Sequence, residues 1–272
     1  MKRCKDNEWF SHQGFSLVEL LVAMAIAGVI MAAVFKVYTT QQDSYLIQEQ
    51  VAEMQQNGRT AKYIMTREIR MAGYDPTATG APFGFVSAYG DSINFTMDIV
   101  GEDGAVTLPG DDITYSVTGS NLERNEGSGN EVVVENVEAI GFAYAYDADD
   151  DGNIDTSASG NIIWAIDSDT SDADKRLDVN LDGNDSGTID ASDDTNGDGR
   201  IDSNDAGTAL ASPVTLDRIR AVRIWILVRT GREDRAYTDT STYVVGNQRV
   251  AANDGNRRQL LSTMVKCRNM AL

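Results

Sequence analysis

The sequence predicts an α+β fold in which one long N-terminal helix packs on an antiparallel β-sheet head. The first half of the predicted helix is apolar, with no charge from residue 20 to residue 35, and its second half carries a single apolar stripe. From residue 84 the hydrophobic period changes from about 3.6 to two, which is typical of strands. An aspartate-rich insert at residues 147–212 interrupts a head that we place at residues 74–272.

The chain begins with a polar, basic segment and continues into a long apolar run. Residues 1–13 include Lys2, Arg3 and Lys5. The apolar run spans residues 15–38, with one acid near its start and no charge between residues 20 and 35. A helix of that length covers about 36 Å, enough to cross a bilayer. Because the bases precede the run, we expect a single-pass membrane protein whose N-terminus is cytoplasmic and whose remaining chain lies outside.

Residues 39–73 are predicted to continue the same helix with one apolar face. Gly73 and Pro76 then supply the stop. Residues spaced alternately by four and three form the stripe, which we expect to pack on the head: Ile47, Val51, Met54, Gly58, Ala61, Met65, Ile69 and Ala72.

A short motif stands where the apolar run begins. The stretch "GFSLVELLVA" places Gly14 and Phe15 before the run and one carboxylate, Glu19, just inside it. Ser16 and Glu19 also form the S-x-x-E pattern of a capping box, which alone explains an acid at a helix start. Capping does not explain Gly14, the polar leader and the long apolar helix together.

The motif resembles the processing site of type IV prepilins and of type II secretion pseudopilins. This resemblance implies that residues 1–14 are a leader, cleaved after Gly14 by a prepilin peptidase that also methylates Phe15. It further implies the pilin fold, with Glu19 pairing with the N-terminal amine of a neighbouring pilin during filament assembly. Partners are therefore expected to be other pilins and minor pilins, bound through the N-terminal helix.

Short segments with alternating hydrophobicity predict the strands of the head. A hairpin is expected in "DITYSVTGSNLERN", turning at Gly119-Ser120. Cys267 alternates with Val265 and Thr263, so we expect a buried, unreactive thiol. The remaining predicted strands are "SINFTMD", "EVVVENVEAIGFAYAY", "NIIWAID", "AVRIWILVRT" and "QLLSTMVKC".

The order of these segments outside the insert is similar to that of PilW-type minor pilins. The segments are "ITYSV…NLERNEG", "VENVEAIGFAYAYD", "VRIWILVRTGRED" and "RRQLLSTMVKCRN". The resemblance implies a role in initiating type IV pilus assembly, at or near the filament tip, in a complex with related subunits. J-type pseudopilins of type II secretion share much of the pattern, so the choice between a type IV pilus and a type II secretion system stays open.

Composition argues against enzymes and against nucleic acid as a partner. The net charge is −19, and 18 Asp against three bases in residues 147–205 account for −15 of it. Cys4 and His12 lie in the leader, so the mature chain keeps Cys267 and no histidine. It therefore lacks an internal disulfide, a catalytic triad and an ordinary zinc site.

The insert contains aspartates at the spacing of calcium loops. In "DTNGDGRIDSND", residues 194–205, the ligands fall at positions 1, 3, 5, 7, 9 and 12, with Gly199 at six and Ile201 as an apolar plug. An Asp in the last position resembles dockerin-type loops. The predicted Ca²⁺ ligands are Asp194, Asn196, Asp198, the carbonyl of Arg200, Asp202 and Asp205.

A second loop, residues 147–158, has the same spacing of acidic residues but ends in Ala158 instead of an acid. Its predicted ligands are Asp147, Asp149, Asp151, Asn153 and Asp155. Another stretch places Asp178 and Asn180 at the spacing of a calcium loop, but the spacing of the ligands is lost before Asp190. Residues 167–176 are expected to be a solvated acidic loop, and without a cation the whole segment is expected to repel itself and stay loose.

Three functions follow from these features. The first is a minor pilin that is anchored in the inner membrane with a periplasmic head and is then exported to the pilus at the cell surface. The second is a type II secretion pseudopilin. The third is a calcium-dependent adhesin head carried on a pilin stem, for which calcium would order residues 147–205.

Overall fold

The computed structural model describes residues 14–78, 83–168 and 174–271. The predicted leader, up to residue 13, and residues 169–173 of the insert lie outside the described residues. One helix, α1, spans Leu17–Ile69. The chain divides into two compact units, one up to Glu49 and the other from Gln50 to Leu272.

The first unit is the apolar part of α1. Its side chains are exposed along the whole run, with Phe15 at 85% and Val29 at 72%. The helix is long and apolar enough to cross a membrane. An apolar surface of this extent is suited to lipid or to the helices of neighbouring subunits.

The second unit packs the rest of α1 against β-sheets, as the stripe predicts. Met54, Gly58, Ala61, Met65 and Ile69 are buried. A Cβ added at Gly58 would lie 2.4 Å from Leu261 Cδ1, so glycine allows the helix to approach the sheet closely. The predicted α+β architecture of a long helix on antiparallel sheets is confirmed.

The head is built from two antiparallel sheets and a separate hairpin. The first sheet has the order β1-β2-β3-β4-β5, the second β13-β10-β6-β7-β8-β9, and the hairpin pairs β11 with β12. The strands are β1 Phe85–Ala88, β2 Ile93–Thr96, β3 Asp112–Thr118, β4 Asn121–Asn125, β5 Asn130–Glu135, β6 Val137–Tyr146, β7 Ala165–Ile166, β8 Arg176–Asn180, β9 Ala209–Thr215, β10 Ile219–Arg229, β11 Thr242–Val245, β12 Gln248–Ala251 and β13 Arg258–Lys266.

Most predicted strands form, with two differences in extent. The hairpin turns at Gly119-Ser120, where Thr118 pairs with Asn121. The long segment from residue 131 to 146 divides between the two sheets at Asn136, which has a left-handed backbone with φ of +60°. Only two residues of "NIIWAID" form β7.

The insert is part of the second sheet. Strands β7, β8 and most of β9 lie within residues 147–212 and extend the sheet beyond β6. The expectation of a solvated loop at residues 167–176 is wrong at its end, because Arg176 begins β8 and pairs with Thr215. The described residues of the insert therefore form an ordered sheet extension whose acidic charge is concentrated in the connections.

The cysteine that follows β13 is buried, which affects the ionisation of its thiol. Cys267 is 3% exposed and free. Burial raises the pKa of its thiol to about 12, so the reactive thiolate is scarce at neutral pH. The prediction of a buried thiol is confirmed.

Candidate assembly and metal sites

The helix start holds the predicted processing and assembly residues together. Ser16 is the N-cap, since its carbonyl accepts the first helical bond from the Leu20 amide. Glu19 Oε2 accepts the Ser16 amide and hydroxyl, each at 2.9 Å, and the Glu19 amide donates to Ser16 Oγ at 3.2 Å. A capping box therefore fixes the carboxylate within one turn of Phe15.

Gly14 and Phe15 are open to a processing enzyme. From residue 14 onward, the structure describes no heavy atom, other than those of chain neighbours, within 4 Å of a Cβ built at Gly14, and the Phe15 side chain is exposed. Cleavage after Gly14 would leave an amine on Phe15, four residues before Glu19. The described residues thus leave the predicted cleavage site accessible and hold the acid in place.

The loop from residue 147 follows directly from β6. Asp147 is 1% exposed, and its two carboxylate oxygens accept the amides of Asp151 at 3.1 Å and Gly152 at 3.0 Å. Asp155 closes the loop by accepting the Ala148 amide at 3.1 Å. The ligand oxygens of Asp147, Asp149 and Asp151 all lie within 4.8 Å of one another, the one such group of acids among the described residues.

The loop of residues 194–205 lies between β8 and β9. Asp194 accepts the amides of Gly197 at 2.8 Å and Gly199 at 3.0 Å. Asp205 accepts the amides of Asn196 at 3.1 Å and Asp202 at 2.9 Å, so positions 1 and 12 close the loop from both ends.

Hydrogen bonds and a buried side chain tie this loop to the β11–β12 hairpin. Ile201, the predicted apolar plug, is fully buried, and its amide donates to the Asn247 carbonyl at 2.8 Å. Arg200 pairs with Gln248 as an isolated bridge. The side chains of Asn196 and Asp198 accept the amides two residues on, at 2.8 and 2.9 Å.

A third loop, residues 182–193, has the same hydrogen-bond pattern and was missed by the sequence analysis. Asp182 accepts the Gly187 amide at 2.7 Å, as Asp194 does from Gly199. Asp193 accepts the Asp190 amide at 2.9 Å, as Asp205 does from Asp202. The two loops are therefore consecutive twelve-residue units.

The register expected from Asp178 is wrong. Asp178 lies in β8 and instead accepts the Ser168 amide at 2.8 Å and hydroxyl at 2.7 Å. A search for D-x-N-x-[DS]-G-x-I-D-x-x-D would have found both loops, because "DGNDSGTIDASD" and "DTNGDGRIDSND" align without a gap.

The three loops share two local features. Their sixth residues have left-handed backbones, which glycine adopts without strain: Gly152, Gly187 and Gly199, with φ of +86°, +85° and +93°. Their eighth residues are isoleucines that pack against the core: Ile154, Ile189 and Ile201. Each loop is thus anchored by one apolar side chain and turned sharply at position six.

Burial concentrates negative charge at the loop ends. Asp182, Asp193, Asp194 and Asp205 are each at most 6% exposed. Burial raises the pKa of Asp193, with a further contribution from the nearby charges of Asp182 and Asp190. An oxygen-rich, electronegative group of this kind suits a hard divalent cation such as Ca²⁺.

One cation already contacts this group. Arg249 Nη1 lies 2.7 Å from Asp194 Oδ2, and this ion pair lowers the pKa of Asp194. The guanidinium thus occupies one oxygen of a predicted ligand. An ion at residues 194–205 would use the other oxygen or displace Arg249.

Two family models match the chain. Residues 9–35 match the prokaryotic N-terminal methylation motif, and residues 186–269 match type IV pilus-assembly protein W. The second match begins inside the insert and includes residues 194–205. These matches confirm the resemblance to PilW-type type IV minor pilins, and the motif implies a prepilin peptidase substrate that assembles with other pilins.

A solved structure adds a distant likeness. A type IV-like pilin from Thermus thermophilus is 18% identical, and the alignment covers 83% of this chain and 98% of that chain with a TM-score of 0.39. No curated protein matches significantly.

Proposed function

We propose that this minor pilin takes part in initiating type IV pilus assembly, at or near the filament tip, through charge pairing at Glu19. The observation that carries the proposal is a capped carboxylate at the start of a helix whose apolar side chains are exposed. A lone carboxylate is costly in a lipid environment unless a cation meets it. The amine that cleavage creates on Phe15 of a neighbouring subunit supplies such a cation.

Two substitutions separate capping from charge pairing. Glu19→Gln keeps an acceptor for the capping box but removes the negative charge. Ser16→Ala removes the hydroxyl from the box and keeps the charge. We expect Glu19→Gln to abolish the strain's surface pili and Ser16→Ala to retain most of them, as counted by electron microscopy with membrane levels matched by immunoblot. Normal piliation with Glu19→Gln would refute charge pairing.

A clean deletion distinguishes initiation from the other two functions. The initiation role predicts a large loss of surface pili, restored by the wild-type chain. Normal filaments with failed attachment would instead favour the adhesin role. Normal filaments with failed protein export would favour a pseudopilin, a distinction that neighbouring pilus-biogenesis or secretion genes also make.

We further propose that the three loops bind Ca²⁺. Residues 147–155 bring three carboxylates together, and residues 194–205 bury acids at positions 1 and 12. Residues 182–193 are included because their hydrogen bonds match those of residues 194–205. Calcium would neutralise these buried charges and hold the loops closed between the strands they connect.

Calorimetric titration of the detergent-solubilised full chain tests this proposal. We expect saturable heat with Ca²⁺ at millimolar concentration and much less with Mg²⁺, which dehydrates reluctantly. Asp205→Asn and Asp193→Asn should each remove part of the binding, whereas Glu131→Gln, at an exposed position on β5, should not. Absence of heat at millimolar calcium would end the calcium proposal and leave the assembly proposal intact.

A further inference from the structure

A polar cleft lies on the second sheet, between strands β10 and β13 on one side and residues of the insert on the other. It has a volume of about 410 Å³, within the range of roughly 300–1,000 Å³ for small-molecule sites. Arg223 on β10 and Ser262 and Met264 on β13 line one side. Asn161, Trp164 and Gly187 line the other, so the sheet and the loop of residues 182–193 share its walls.

Arg223 lies over two indole rings. Its guanidinium carbon lies 4.8 Å from the centroid of Trp225 and 5.7 Å from that of Trp164. Cation–π contacts of this kind leave the N–H groups of the guanidinium for a ligand. Burial lowers the pKa of Arg223, and no nearby acid offsets that effect.

Among the partly buried arginines of the described residues, Arg223 stands apart because its guanidinium has no hydrogen-bond or ion-pair partner. The described structure gives it no side-chain hydrogen bond or ion pair, although the chain carries a net charge of −19. Arg229, on the same strand, donates to Ser120 Oγ. Six other partly buried arginines pair with acids: Arg124, Arg218, Arg220, Arg249, Arg257 and Arg258.

Neutral polar groups complete the cleft. Asn161 Nδ2 donates to the carbonyl and carboxylate of Asp185, both at 3.0 Å, which fixes the amide in place. A Cβ at residue 187 would lie 2.8 Å from Asn161 Oδ1, so glycine keeps that oxygen uncovered. Ser262 is exposed on the edge strand β13 and offers a hydroxyl.

We propose that this cleft binds the carboxylate of an acidic saccharide. The guanidinium edge of Arg223 forms the bidentate pair that suits a planar carboxylate. Asn161 and Ser262 offer hydrogen bonds to sugar hydroxyls. A single arginine in an acidic chain suits one negative charge better than the double charge of a phosphate.

Fluorescence provides a direct measurement, since Trp164 and Trp225 are two of the three tryptophans. The full chain in detergent is titrated with glucuronate, glucose and inorganic phosphate, with calorimetry in parallel. We expect a saturable signal with glucuronate and none with glucose. Equal affinity for glucose or for phosphate, or no signal with glucuronate, would overturn the proposal.

Variants tie the signal to the cleft. Arg223→Met should weaken glucuronate binding about tenfold or more, as for loss of a charge-assisted pair, and Arg223→Lys should recover part of it. Arg232→Met, at an exposed arginine outside the cleft, should bind as the wild type does. Ser262→Trp should block the cleft from an exposed position even if Arg223→Met misfolds. Wild-type affinity in Ser262→Trp would contradict the assignment.

Discussion

Calcium removal should lower the melting temperature of this protein markedly. The loops of residues 182–193 and 194–205 bury four carboxylates, with Arg249 as their one ion-pair partner among the described residues. Calcium that binds the folded loops and not the unfolded chain stabilises the folded state by mass action. The effect should therefore grow with calcium concentration and disappear with a chelator.

The size of the shift in melting temperature follows from the number of loops and from their expected affinity for calcium. Extracellular calcium modules bind at about 0.1 to 1 mM, so about 10 mM calcium is at least ten times the dissociation constant. Each loop then contributes about 1.4 kcal/mol, and three contribute about 4 kcal/mol. For a unit of about 220 residues this shifts the melting temperature by about 10 °C.

Scanning calorimetry of the full chain in detergent, with calcium or with EGTA, measures this shift. Asp205→Asn should remove about one third of it, and Glu131→Gln should leave it unchanged. Magnesium at the same concentration should give a much smaller shift. A calcium shift below about 2 °C, or one that magnesium reproduces, would refute the reasoning from buried carboxylates.

Two further substitutions probe arginines that pair with acids. Arg258→Met should cost about 3 kcal/mol in urea unfolding at pH 7, because the Arg258 side chain is 2% exposed. It pairs with Glu138 and Asp254 at 2.6 and 2.7 Å and with the buried Asp239 at 3.5 Å. The hydrogen bond from Arg258 lowers the pKa of Asp254. The ion pair therefore stabilises the fold above the pKa of about 3.9 that an aspartate has in the unfolded chain, and this stabilisation is lost as the pH falls. The deficit of the variant should therefore shrink in acid, and a deficit independent of pH would contradict this account. Arg249→Met should tighten calcium binding at residues 194–205 about fivefold by freeing Asp194, and unchanged affinity would show that the guanidinium does not compete.

The helix and its helix-start motif could be predicted because local rules determine them. The stripe from Met54 to Ile69 follows the 3.6-residue period, and each of its members is buried in the structure. The capping box of Ser16 and Glu19 depends on residues three apart, so sequence spacing alone predicts its hydrogen bonds.

The sheet extension and the cleft could not be predicted because long-range pairing creates them. Strand β8 begins in a segment dominated by aspartate and serine, where composition favours a solvated loop. Its register is set by pairing with β9, about thirty residues later. Trp164 and Arg223 lie about sixty residues apart, and only the fold of the sheet brings the ring to the guanidinium.

The cleft and the loop of residues 182–193 share a wall, and this has a thermodynamic consequence. Asp185, the fourth residue of that loop, has its pKa lowered to about 2 by hydrogen bonds from Ser157 and other neighbours, and it holds Asn161 at the cleft. Calcium that orders the loop would fix Asn161 and Gly187 before the saccharide arrives. Glucuronate should then bind more tightly with calcium than with EGTA, and calcium should bind more tightly by the same factor when glucuronate is present. Asp193→Asn should abolish this coupling while Arg223 still binds glucuronate, and equal glucuronate affinity with and without calcium in the wild type would show that the shared wall is rigid on its own.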